Sequence, residues 1–240
     1  MAKYRLRAER AGKRGRSYLV PTDPPRTAVD WLRDRAHGSP CAGGGGRQSV
    51  PGTVLLYSRA DAPKHKRVWA NAREVAARIR EFAPDLDVAV VDALGGLPLC
   101  DPTKVGERQG RTAAQAPAFA RARVLLAPHG GHMGNLLWTD QRNTLVVEAW
   151  CQREVWTESF VAPGRYRYLS SALVVDGGGG ARTAECSTGS RNALRSSMAA
   201  LELLLPDIAA AARGQAQLPG GVDVARTFIS VSGSGSEYLD

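Results

Sequence analysis

The sequence predicts an α/β fold built on a parallel sheet. Two features lead there. Four short, nearly all-apolar runs recur, "TVLLYSR" from residue 53, "DVAVVDA" from 87, "RVLLAP" from 123 and "TLVVEAW" from 144. Between them lie stretches of helical periodicity or glycine-led turns. A run apolar on alternate and intervening positions alike belongs to a strand covered on both faces, as parallel strands under helical crossovers are. Strands alternating with helices imply right-handed crossovers, hence a Rossmann-like sheet.

The elements are justified in chain order. Residues 1–16 hold seven Lys or Arg against Glu9 alone. They read as a solvated, frayed arm. "RTAVDWLRDRAH" (26–37) spaces Ala28, Trp31, Leu32 and Arg35 by threes and fours and is followed by Gly38, a short helix with a glycine stop. "SPCAGGGGRQSVPG" (39–52) reads as a linker. Its glycine quartet does not spell GxGxxG and follows no strand.

After the first strand, "VWANAREVAARIREF" puts Val68, Ala72, Val75, Ala76, Ile79 and Phe82 on one helical face and Arg73, Arg78 and Arg80 on the other. "TAAQAPAFARA" is helix-like, broken or delayed by Pro117. "GNLLW" opens another helix. Beyond residue 150 the pattern weakens to a loop at 177–180 and one covering helix over 191–213, interrupted at Pro206. The expected organisation is a basic arm with the remnant of an N-terminal domain over 1–50. A Rossmann-like ligand domain over 51–215 and a disordered tail over 216–240 complete it.

Composition narrows the function classes. At 240 residues, with 43% hydrophobic and 23% charged, the chain has the balance of a soluble globular protein. No run approaches the roughly 18 apolar residues of a membrane helix, and the N-terminus lacks the apolar core of a signal peptide. Net charge is +9, but the arm carries +6 of it, so nucleic acid is not the expected partner. Cys41, Cys100, Cys151 and Cys186 are far apart and form no CxxC pair. In an oxidising compartment they would allow two disulfides in any of three connectivities; in cytosol they would be thiols. No N-x-S/T acceptor occurs.

The chemistry gathers at "HGGHMGN", residues 129–135, directly behind the third strand. Ligands of doubly wound sheets bind beyond the carboxyl ends of strands. Gly130 and Gly131 let the backbone approach a ligand closely, and the opening N–H groups of the following helix lack internal partners. This is a turn suited to a diphosphate. His129 and His132, three apart, also suggest a metal pair with Glu148 or Asp140, but spacing supplies no third ligand and no metal is expected.

In order, the residues are "LLYSRADAPKHKRVWANAREV", then "VLLAPHGGHMGNLLW", then "TLVVEAW". Over about residues 53–150 this resembles glycosyltransferase family 61. That family carries a strand ending in Ser-Arg, a basic residue, and an Asn at the head of a helix. A strand with a His-Gly-Ala-Gly-like turn, an Asn and a Leu-Leu run follows, then a strand ending Val-Val-Glu. Ser58, Arg59, Arg67, Asn71 and Glu74 match the first block. His129, Gly130, Asn135 and Glu148 match the second. Gln115, Phe119 and Ala122 fall where the family has Gln, an apolar residue and Ala. His132 and Met133 stand where the family has a small residue and Leu.

The resemblance implies the C-terminal, donor-binding half of a GT-B glycosyltransferase, which moves a sugar from a nucleotide-sugar, expected to be a uridine diphosphate sugar, to a hydroxyl of a glycan or glycoprotein, with inversion. On that reading Arg59 and Arg67 neutralise the departing diphosphate. His129 donates to it or acts as general acid–base. Glu148 accepts from ribose hydroxyls, and Asn71, Gly130, Gly131 and Asn135 line the donor site. No resident cofactor is implied beyond the donor, and a divalent metal requirement is left open. Members of the secretory pathway carry an N-terminal anchor, so a Golgi or ER lumen is expected for a piece of such an enzyme and cytoplasm otherwise. Only about fifty residues precede the first matched strand, too few for an acceptor domain. The alternative expectation is a truncated or catalytically inactive binding module.

Overall fold

A computed structural model describes residues 6–9, 18–21, 49–60, 67–94, 115, 118–140, 142–151, 157, 161–162, 164–175, 182–184 and 193–219. The helix expected over 26–37, the glycine quartets at 43–46 and 177–180, Pro117 and the tail from 220 lie outside them. Within the basic arm, Leu6–Glu9 (β1) pairs antiparallel with Tyr18–Pro21 (β2), Leu6 opposite Pro21 and Glu9 opposite Tyr18. Part of the arm is therefore a ribbon and not the frayed coil its charge suggests.

The four apolar runs become Thr53–Tyr57 (β3), Asp87–Val91 (β4), Val124–Pro128 (β5) and Leu145–Trp150 (β6). A fifth strand, Tyr166–Val175 (β7), runs beside β6. The order β4-β3-β5-β6-β7 is parallel throughout these pairs. The second half of β7 then pairs antiparallel with Arg182–Ala184 (β8) and Ala193–Ser196 (β9). The fold is thus α/β on a mixed, mostly parallel sheet. Counted from β3, the parallel strands read 2-1-3-4-5, an order that doubly wound sheets use and distinct from the 3-2-1-4-5-6 of dinucleotide-binding Rossmann sheets.

The period of two along each strand sorts the core into two layers. Val54, Leu56, Val124, Leu126, Leu145 and Val147 face Ala72–Phe82 (α1) and Met198–Ala212 (α2). Leu55, Tyr57, Leu125, Ala127 and Val146 face Phe119, Ala122, Met133 and Leu136. Every residue of β5 and β6 is buried, which is why both read as apolar runs, broken in β6 by Glu148 alone.

Helix α1 buries Ala72, Val75, Ala76 and Ile79 at three-and-four spacing. Glu74 in its first turn and Arg80 in its last complement the helix dipole. Phe82, expected on the buried face, is 44% exposed because the helix ends there. The stretch expected as a helix over 191–213 is split. Ala193–Ser196 is strand β9, and α2 begins after Ser197, whose side chain caps it by accepting from the Ala200 N–H at 3.2 Å. Pro206 lies inside α2 without ending it. Next to it, Asp207 accepts Arg167 Nε at 2.6 Å. Both side chains are almost wholly buried, and the pair bolts α2 to β7.

Candidate functional site

In the order 2-1-3-4-5 the crossovers turn in opposite directions on either side of the first and third strands, leaving a crevice at their carboxyl ends. Here those strands are β3 and β5. The residues that follow them are Ser58–Arg59 and His129–Gly130, so the two quoted sequence blocks meet in space.

Ser58 anchors the first. Its N–H donates to Val91 O at 3.0 Å, its carbonyl accepts the Trp69 N–H at 2.8 Å, and its hydroxyl donates to Asp92 Oδ1 at 2.8 Å. From this fixed point the chain turns left-handed at Arg59, φ 60°, and again at Arg67, φ 55°. A left-handed residue that is not glycine costs on the order of 1–3 kcal/mol, a cost found mainly where side-chain direction matters. Both guanidinium groups end at one place. Arg59 Nη1 donates to the His129 carbonyl at 3.1 Å and Arg67 Nη1 donates to the same oxygen at 3.2 Å. Arg67 also lies over the Trp150 ring, 5.0 Å from its centroid, a cation–π contact.

Gly130 explains how the arginine gets there. Its φ of 160° is ordinary extended backbone, so the glycine is not needed for conformation. A Cβ on it would stand 2.1 Å from Arg59 Nη1 and 3.3 Å from His132 Nδ1. It is needed for approach. Gly131 and Gly134 meet nothing within 4 Å. The expected α-helix after the turn is a 3-10 segment, Gly131–Trp138.

Behind the turn His129 Nδ1 faces Glu148 Oε1 at 2.8 Å. The same oxygen accepts Thr157 Oγ1 at 2.9 Å, and Oε2 accepts the Tyr166 hydroxyl at 2.6 Å. Glu148 has no exposed surface. The contact fixes the orientation of the His129 ring from behind the turn. The His129 ring rests on Trp150, centroids 5.1 Å apart. His132, edge-on to Tyr57 at 4.9 Å, has both ring nitrogens closed off from solvent and without a hydrogen-bond partner. Burial, then the charges of Arg59, His129 and Arg67, hold its pKa well below the usual histidine range.

The structure therefore brings together Arg59, Arg67, His129 and Gly130, with Gly131 exposed beside them. It sets three others apart. Glu148, expected to reach ribose hydroxyls, is enclosed and spends its oxygens on protein donors. Asn71, expected to line the donor site, gives its Nδ2 to Ser196 O at 3.0 Å and accepts the Ser196 N–H on Oδ1 at 2.9 Å. It neither caps α1 nor faces the crevice, but ties the start of α1 to β9. Asn135 donates to Gln115 Oε1 at 2.7 Å and anchors the 3-10 segment. Sequence reasoning missed Thr157, Tyr166 and Trp150, which have no motif of their own; only Trp150, at the end of a matched strand, carried a signal.

Among the described residues no three His, Cys, Asp or Glu side chains form a group able to hold a metal ion, and no helix is long and apolar enough to cross a membrane. Cys151, next after β6, is disulfide-bonded. Comparison with known proteins finds no matching family model and no similar curated protein.

Proposed function

We propose that the crevice binds the diphosphate of a nucleotide-sugar and that the chain is the donor-binding part of an inverting glycosyltransferase whose acceptor is a hydroxyl of a glycan or glycoprotein. The observation that carries the reading is the convergence of Arg59 and Arg67 on the His129 carbonyl at the mouth of β3 and β5. Two fixed cations beside a closely approachable glycine suit an anion with two phosphate groups. His129, its ring oriented by Glu148, is the group we assign to protonate the leaving phosphate. The disulfide at Cys151 suits an oxidising compartment such as a secretory lumen.

A second reading, a binding module without transfer activity, is favoured by Glu148. The carboxylate of the cluster is fully enclosed and unable to deprotonate an acceptor. A thermal-shift panel of nucleotide diphosphates and their sugars tests both. Saturating donor is expected to raise the Tm by roughly 5–10 °C at a hundredfold excess over Kd, and Arg59→Ala to abolish the rise. No shift with any nucleotide overturns the reading. A shift with neither sugar transfer nor donor hydrolysis favours the inactive module.

A further inference from the structure

The diphosphate reading leaves His132 unexplained. Both of its ring nitrogens are shut away from solvent and neither has a hydrogen-bond partner, an arrangement native proteins avoid unless a ligand or a task fills it. The ring is fixed in place, edge-on to Tyr57 of β3 at 4.9 Å, with Nδ1 beside Gly130. The groups around it are cationic or can become so. Arg59 comes from the segment after β3, Arg67 from the segment before α1, and His129 from the end of β5. The Pro128 backbone, the last of these influences, pulls the other way. Glu148, the carboxylate behind the turn, is spent on His129, Thr157 and Tyr166.

We propose that His132 is a ligand-binding group of this crevice that takes up a proton as the ligand arrives, which selects ligands carrying at least two fixed negative charges. The proposal rests on the diphosphate reading. Two phosphate charges set among Arg59, Arg67 and His132 offset the repulsion that, after burial, keeps the ring neutral, and they supply an acceptor for its N–H. A single carboxylate cancels less of it. By linkage, a ligand that favours the protonated ring binds more tightly as the pH falls, and the same coupling is read as protons absorbed on binding.

Titration calorimetry of the full chain with UDP-glucose at about pH 6, in two buffers of different ionisation enthalpy, counts those protons. The phosphodiester groups of UDP-glucose do not titrate there, so uptake belongs to the protein. About half a proton or more is expected per site. In His132→Gln the uptake falls to near zero and the affinity drops about tenfold. The ring 15N shifts of His132 in the unsubstituted protein, with and without UDP-glucose, give the same answer should the variant not fold. They must move toward the doubly protonated ring on saturation. Binding without uptake, or uptake that persists in His132→Gln, overturns the role of His132 and leaves the diphosphate reading standing. If neither UDP-glucose nor inorganic pyrophosphate binds, both fall together.

Discussion

The Nδ1 of His129 lies 2.8 Å from Oε1 of Glu148, and the carboxylate it faces has no exposed surface. The acidic strand end and the histidine of the turn are thus one unit, held from behind by Thr157 and Tyr166. Glu148→Gln keeps the shape but can present an N–H where His129 needs an acceptor. We expect the variant to lose about 1–3 kcal/mol in urea denaturation and the His129 ring to change tautomer by 15N NMR. An unchanged ring spectrum would show that Glu148 does not set it.

Tyr166 donates the shortest of the bonds to that carboxylate, at 2.6 Å. Tyr166→Phe leaves a buried oxygen short of one donor and is expected to cost about 1–3 kcal/mol. Nucleotide affinity should fall less in Tyr166→Phe than in Arg59→Ala, since the hydroxyl is taken up by Glu148. Equal losses would contradict that layering.

The left-handed turn at Arg67 separates backbone from charge. Arg67→Ala retains the strain and loses the guanidinium, whereas Arg67→Gly loses both. Gly should be the more stable variant by about 1 kcal/mol in thermal or chemical denaturation. Both should weaken donor binding alike. If Ala is the more stable, the turn is not strained.

Gly130→Ala makes the complementary experiment. The new methyl meets the far end of the Arg59 side chain, which can swing aside. Stability is expected to change by less than about 1 kcal/mol, while donor affinity drops about tenfold or more as the guanidinium moves. A variant that binds as tightly as the parent would remove Arg59 from the site.

Without ligand, His132 gives the fold a pH dependence of known sign. Its pKa in the folded chain lies well below that of the unfolded chain, so the unfolded state takes the proton first. The stabilisation is complete above the unfolded value near 6.5 and is lost as the pH falls toward the folded one. Urea midpoints measured downward from about pH 7.5 should therefore decline less in His132→Gln than in the parent.

The parts of this fold legible in the sequence were those where a single period dominated. The runs at 53, 123 and 144 are buried on both sides and could not be confused with amphipathic helix; the run at 87, expected to be covered on both faces, is the edge strand and buries only Val88. Ala193–Ser196 was read as helix because Ala, Leu and Arg favour helices. Its alternation of half-buried, buried, exposed and buried is too short to outvote composition, and tertiary pairing with β7 decides. β7 itself mixes tyrosines, serines and a buried arginine whose partner, Asp207, lies 40 residues on. Of the site, sequence order brought Arg59, Arg67 and His129 forward. It could not reveal that Glu148 points inward or that Asn71 serves β9, since side-chain direction at a strand or helix end depends on packing.

Asn71 has a consequence for how the two arginines behave. The stretch that carries them is fastened at both feet, by Ser58 to β4 at one end and by Asn71, Trp69 and Ala70 to β9 at the other. It is a handle riveted to the sheet on opposite sides of β3. Loosening either rivet would slacken Arg59 and Arg67 together, so Asn71→Ala, remote from any phosphate, would blunt the grip of both.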